Sequence, residues 1–304
     1  MNPPIATTLV TGATGLVGRR LLPQLGPASI VTRSPDRARS QVPKNVEEVI
    51  GWDPAKDPFP AATGRRYDQV VNLMGESIAE GRWTSAKKKR IRDSRVQGTR
   101  NLVDGLLAGP ELPKVLVSAS AIGIYGDGGE TALDEHGPHG DGFLIDVCEE
   151  WEAEAMRLTE HGVRVVCLRI GIVLAAEGGA VASLAPLFRM GLGGRLGTGK
   201  QWMSWIHVDD LVSLILWSLN QPDLQGPVNA TAPLPVRNAE FTQYLAQATG
   251  RWALVPVPRL ALRLALGEFA NTLYLSQRVI PQAALDSGFQ FQFPRIDAAL
   301  ETVV

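Results

Sequence analysis

The sequence is poor in cysteine and histidine, has no charge excess of either sign, and contains no long hydrophobic run. Its two cysteines, Cys148 and Cys167, do not form a CxxC pair. That argues against a disulfide scaffold or thiolate metal cluster and fits buried thiols of a reducing compartment. Two of the four histidines, His136 and His139, show HxxH spacing in a Gly/Pro loop. No third ligand is close in sequence, so no metal site is expected. Thirty Lys and Arg against thirty-one Asp and Glu give a net charge of −1. Such a balance offers no electrostatic handle to nucleic acid or to an anionic membrane. No stretch of the ~18 residues a membrane helix needs is both uncharged and predominantly apolar; the uncharged residues 1–18 are broken by Pro, Gly, Asn and Thr. The start, MNPPIATTLVTG, shows neither a basic segment nor a long apolar one, so a cytoplasmic protein is expected.

What is present is ample apolar material, 45% of 304 residues, which suits one large α/β domain or a domain with a modest appendage. Apolar runs alternate with helical patterns: ATTLV, SIVTR, VEEVI, DQVVNLMG, KVLVSAS and VRVVCLRIGIVL read as six strands. Helices are expected after TGATG, from Thr84 to Leu107, and over 143–161. This predicts a Rossmann-type, doubly wound parallel sheet covered by helices. After Gly178 the Gly- and aromatic-rich stretch through GKQWMSW reads as substrate-side loops, and HVDDLVSLILWSL as a helix capped by Asp209. The main domain is expected over 5–240, with a small, mainly helical C-terminal module over 250–300.

Residues 12–18, GATGLVG, lie between a strand and a helix. Gly12 permits a tight turn, Gly15 lets backbone approach a pyrophosphate, and Gly18 lets the helix pack closely on the strand. Thr14, Leu16 and Val17 would join them at the phosphates. A cofactor's ribose is read at the end of the second strand, where VTRSPDRAR places Arg33 and Ser34 instead of an acid. A guanidinium suits a 2′-phosphate and gains little from a hydroxyl, so NADP is the expected cofactor. Asp53 would reach the adenine amino group or cap its own turn. Asn72, Leu73, Met74, Gly75 and Glu76 would run beside the cofactor ribose, and Ser118 is a further cofactor-binding candidate. Arg95 falls on the inward stripe of Ile91, Gly98, Leu102 and Leu106. A buried charge needs a partner: the Glu76 carboxylate, a cofactor phosphate or an acidic substrate. The KKKR run before it reads as a solvated face.

Together TGATGLVG, NLMGESIAEGRW, IRDSRVQGTRNL, SASAIGIYGD, WEAEA, LRIGIVL, GKQWMSWIHVDDL and SQRVIPQ resemble an atypical subgroup of the extended short-chain dehydrogenase/reductases. Its members are known only as epimerase-family proteins, some of them as cell-division inhibitor homologues. The resemblance covers residues 8–294. It implies an NADP-binding Rossmann domain, a C-terminal module of unknown function and an unidentified substrate. The wider family carries an Asn three residues before GT, where this chain has Arg95. Its Tyr-x-x-x-Lys would fall on Leu144 and Cys148, neither of which does that chemistry. If hydride transfer occurs, Ser120 and Tyr125 are the candidate catalytic residues, with His207 a weaker one. Lys200, Gln201, Trp202, Ser204 and Trp205 form the expected substrate wall.

Two functions remain open at this point: an NADP-dependent oxidoreductase or epimerase-like enzyme on a small molecule, or a non-catalytic NADPH-binding sensor. A pocket beside the nicotinamide would favour the enzyme. The sequence leaves the oligomeric state undetermined.

Overall fold

The computed structural model describes residues 7–60, 66–253 and 256–304. Ile5 and Ala6, at the expected start of the domain, and Leu254 and Val255, in the expected C-terminal module, lie outside the described residues.

Strands β1 (Thr8–Thr11), β2 (Ala28–Thr32), β3 (Val46–Gly51), β4 (Gln69–Asn72) and β5 (Val115–Ala121) come first. Between them lie helices α1 (Leu16–Leu21), α2 (Pro35–Arg39) and α3 (Ser85–Leu107). After the short β6 (Ala132–Leu133) follow α4 (Phe143–Met156), β7 (Arg164–Ile170) and β8 (Ile172–Ala175). Next are α5 (Gly179–Arg189), β9 (Trp202–Met203), β10 (Trp205–His207), α6 (Val208–Asn220), β11 (Gly226–Ala230), β12 (Val236–Arg237) and α7 (Asn238–Ala248). The C-terminal part holds α8 (Arg259–Leu266), α9 (Phe269–Thr272), β13 (Arg278–Val279), α10 (Gln282–Asp286) and α11 (Ile296–Glu301).

Seven parallel strands form the central sheet, in the order β11-β7-β5-β4-β1-β2-β3. The order reverses between β1 and β4, and a ligand crevice opens at such a switch point beyond the C-terminal strand ends. Successive side chains point to opposite faces, so Val10, Ile30 and Val117 pack on one layer with Leu211 and Ile215 of α6. Leu9, Val70 and Leu116 pack on the other with Leu102 and Leu106 of α3. No helix among the described residues is long and apolar enough to cross a membrane.

Two sequence expectations need correction. VRVVCLRIGIVL is not one strand: it breaks at Gly171, where a Cβ would come within 2.8 Å of the Ser204 carbonyl oxygen. The chain bends there, and β8 leaves the main sheet to pair with β10. The stretch after Gly178 is not all loop, because residues 179–189 form α5. Val181, Ala185 and Phe188 recur at helical spacing and are buried, which outweighs the flanking glycines.

The C-terminal elements contribute to shared cores. Ala284 and Phe289 belong to the cluster on the α6 face, while Ile296, Ala299, Leu300 and Val303 close a third cluster with Trp205 and with Phe241 and Leu245 of α7.

Candidate functional site

The turn between β1 and α1 is built for close backbone approach. Gly12 has φ of 65°, and a Cβ on it would lie 2.4 Å from the Leu73 carbonyl oxygen. A Cβ on Gly18 would lie 2.5 Å from the Gly12 carbonyl oxygen. Gly15 is exposed and starts α1, and no side chain caps that helix end. Its first N–H groups are therefore available to an anion. Thr14 is exposed beside it, and Leu16 and Val17 are half-buried. Arg33 and Ser34 are exposed at the end of β2, and Arg33 makes no hydrogen bond to a described carboxylate. Asp53 accepts from the Ala55 N–H at 3.2 Å and pairs with Lys56 at 3.3 Å, so it also shapes its own turn. These residues fit a phosphorylated dinucleotide: a glycine cradle that a Cβ on Gly12 or Gly18 would fill, an uncapped helix start, and at the ribose end a cation that, among the described residues, holds no carboxylate by a hydrogen bond although Asp53 feels its charge.

Beneath the crevice a buried brace ties the strands together. Thr11, Asn72 and Ser118 are register partners on β1, β4 and β5. The Thr11 hydroxyl donates to Asn72 Oδ1 at 2.7 Å, and Asn72 Nδ2 donates to Ser118 Oγ and Thr99 Oγ1 at 3.1 and 3.0 Å. Trp151 Nε1 donates to the same Thr99 at 2.9 Å. Asn72 and Ser118 are fully buried, so their side chains hold the framework rather than face a ligand. Leu73, Met74 and Gly75 continue from β4, with only Gly75 exposed.

At the end of β5 lies a polar network that the motifs did not reveal. Ser120 Oγ donates to Glu152 Oε1 at 2.6 Å. Arg169 grips the Glu152 carboxylate through Nε and Nη2, both at 2.9 Å. Its Nη1 donates to the Tyr125 hydroxyl at 2.9 Å and to the Glu135 carbonyl at 3.1 Å. Tyr125 in turn donates to Asn229 Oδ1 at 2.7 Å. Burial pushes the Tyr125 pKa up, although Arg169 works against the shift. Burial likewise raises the Cys148 thiol to about 12. Both candidate catalytic hydroxyls are buried, but they differ in their partners: the Tyr125 oxygen both donates and accepts, whereas Ser120 only donates, to a carboxylate, among the described residues. A sequence signal for the pair did exist. An arginine inside the apolar run VVCLRIG demands a buried acid, but nothing local to the strand singles out Glu152 on α4.

Arg95 is half-buried, as its position on α3 predicted, but Glu76 is not its side-chain partner. The Glu76 carboxylate pairs with Lys87 at 2.7 Å and with Arg90 at 3.1 Å. Lys87 is therefore buried, contrary to the solvated face expected for the whole KKKR run. The Arg95 guanidinium donates to the Glu76 and Ile91 carbonyls and stacks on Trp151 at 5.2 Å.

The expected wall is only partly a wall. Ser204 and Trp205 are buried, the former bonding Gln277 and Val279, the latter in the third core. The Trp202 ring lies between the Arg237 and Arg278 guanidinium groups, at 4.1 and 4.9 Å. A hollow of about 510 Å³ opens nearby on Glu130, Thr198, Lys200, Arg237 and Glu240. Arg237 holds Glu130 in a two-pronged pair that lowers the carboxyl to about 2. The cap of α6 is His207, not Asp209: its ring accepts from the Asp209 N–H at 3.2 Å. The SQRV segment latches the residues after β5. Gln277 donates to the Ile122 and Gly126 carbonyls, both at 3.0 Å, and β13 pairs with β6.

Comparison with known proteins agrees with this architecture. The NAD dependent epimerase/dehydratase family matches residues 8–230, and a domain of unknown function, DUF1731, matches 257–303. An Arabidopsis thaliana protein, the chloroplastic epimerase family protein SDR39U1 homolog, is 40% identical over 98% of this chain and 86% of its own. Epimerase family protein MT2273 of Mycobacterium tuberculosis is 40% identical over 97% of this chain and 96% of its own. The crystal structure of human epimerase family protein SDR39U1 (isoform 2) with NADPH superposes with a TM-score of 0.86, at 33% identity and 98% coverage of both chains. On the strand order, the glycine turn and these matches, the chain belongs to the NAD-dependent epimerase/dehydratase family.

Proposed function

We propose that this chain is an NADP-dependent oxidoreductase or epimerase-like enzyme acting on a small molecule. The observation that carries the cofactor choice is the end of β2, where Arg33 stands exposed without a hydrogen-bonded carboxylate. A 2′-phosphate would satisfy that cation, with Ser34 beside it. The NADPH held by the human relative supports the same reading. Gly12, Gly15 and the start of α1 would hold the pyrophosphate. When bound, the nicotinamide supplies or accepts hydride.

The chain's own acid–base group is Ser120 with Glu152. Ser120 is buried at the end of β5, and because its hydroxyl donates to Glu152 at 2.6 Å, its oxygen keeps its lone pairs for an incoming donor. It would accept the proton of a substrate hydroxyl while its own passes to Glu152. Arg169 orients the Glu152 carboxylate through two hydrogen bonds.

The titration of first choice follows nicotinamide fluorescence with NADPH and with NADH. A preference for NADPH of about tenfold or more, removed by Arg33→Ala, is expected; equal binding would sink the Arg33 assignment. One observation favours a second reading, a non-catalytic NADPH sensor: the Tyr125 hydroxyl is sequestered with Asn229 and Arg169. NADPH consumption with any of a panel of small carbonyl compounds, lost in Glu152→Gln, separates enzyme from sensor.

A further inference from the structure

Arg95 is a desolvated cation whose only hydrogen bonds, among the described residues, go to neutral carbonyl oxygens. Both use Nη1, at 3.0 Å to Glu76 and 3.2 Å to Ile91. The guanidinium carbon lies over the Trp151 ring, 5.2 Å from its centroid. The Glu76 carboxylate, which acts on Arg95 through its charge, hydrogen-bonds to Lys87 and Arg90 instead. A half-buried charge left in this way is costly, and the group that relieves it best is an anion meeting two N–H donors at once.

The donors still free are Nη2 and Nε, and the residue beside them is Gly75. A Cβ on Gly75 would lie 3.1 Å from Nη2 and 3.5 Å from Nε. Gly75 is not among the glycines with positive φ. Its backbone does not require glycine, so the missing side chain matters for space: it leaves the forked edge of Arg95 uncovered.

The position of this edge identifies the ligand. The cofactor's phosphates have their own partners at the β1–α1 turn and at the end of β2. Arg95 sits beside Gly75, just past the end of β4, and over Trp151, which packs on Ala119 of β5. Building on the NADP assignment above, we infer that Arg95 binds an acidic group, a carboxylate or a phosphate, on the second ligand, so that the substrate is an anionic small molecule. Its acidic group would sit beside the Ser120 end of β5 and fix which carbon faces the nicotinamide.

Calorimetric titration of the full chain with inorganic phosphate and with oxalate, each without and with saturating NADPH, tests this. Binding of at least one anion to the NADPH-loaded chain is expected. Arg95→Met should weaken it about tenfold or more, and Arg95→Lys, which keeps charge without the fork, by less. Gly75→Ala, which keeps the charge but covers its edge, should also weaken the anion. Anion binding that vanishes once NADPH saturates would assign Arg95 to the cofactor and overturn the inference. So would an Arg95→Met that weakens NADPH as much as the anion, or a loaded wild type that binds neither anion. A wild type that binds no NADPH overturns the cofactor assignment instead. Loss of anion binding by Arg95→Met in the unloaded chain would then still support the acidic site, and its persistence would refute it.

Discussion

Asn72 and Tyr125 both carry polar atoms near the crevice, and both are spent inside the protein. Removing Asn72 leaves Thr11, Thr99 and Ser118 short of a partner. Asn72→Ala should therefore cost roughly 2–3 kcal/mol, read as a lower denaturant midpoint with an unchanged slope. Tyr125→Phe deprives Asn229 of its donor and should cost about 1–3 kcal/mol. Its NADPH affinity should match the wild type, and a large loss would return Tyr125 to the candidate site. The sequence places these residues at or just past strand ends because strand ends and glycine turns are local features. It could not say which hydroxyls face solvent, since that depends on partners as remote as Asn229 and Arg169. For Arg95 the reverse held: helical spacing alone placed the charge on the inward face, and only its partner was unreadable.

Among the elements, α6 carries a titratable cap. His207 is buried, stacks on Phe293 at 4.0 Å, and shares a proton with Thr302 at 3.1 Å. Its other ring nitrogen accepts from Asp209 N–H, a bond that protonation abolishes. Burial lowers its pKa below the ordinary 6.5 despite Asp209 and Asp210 nearby. The neutral form is thus favoured in the fold, so the contribution is full above pH 6.5 and falls as pH drops toward the folded-state value. The slope cannot exceed about 1.4 kcal/mol per pH unit for one proton. Asp210 caps residues 292 and 293, and its raised pKa acts in the opposite sense, from the lower reference of 3.8. Denaturation at a series of pH values should show stability declining below pH 6.5, and His207→Asn, a cap that does not titrate, should flatten it. A wild-type profile already flat there would discard the cap as the cause. Helix α5 escaped the sequence reading because its start is glycine-rich and Pro186 lies within it. Helix α7 was left unassigned although its apolar residues Phe241 and Leu245 stand four apart.

For the molecule as a whole, the alternation of strand and helix was legible because each short-range pattern agrees with the sheet it enters. How the C-terminal part attaches was not, since its contacts join residues far apart in the chain. Those contacts give the SQRV segment its mechanical role: Gln277 and Ser204 tie it to the residues following β5 and to β10. Its helices also complete two shared cores. A chain ending at residue 256 should therefore lose its cooperative thermal transition, and Phe289→Ala in the full chain should cost about 3–5 kcal/mol. A truncated chain that melted sharply near the full-length temperature would show the main domain to be self-sufficient.

The two thiols supply a built-in clock for this architecture. Cys148 on α4 and Cys167 on β7 are both buried, and burial disfavours the thiolate of each. A thiol-reactive dye can reach them only when the protein opens. Equal labelling rates would mean that helix and sheet part in one global event. Faster reaction at Cys148 would show that α4, which carries Trp151 and Glu152, swings free while the sheet stays closed.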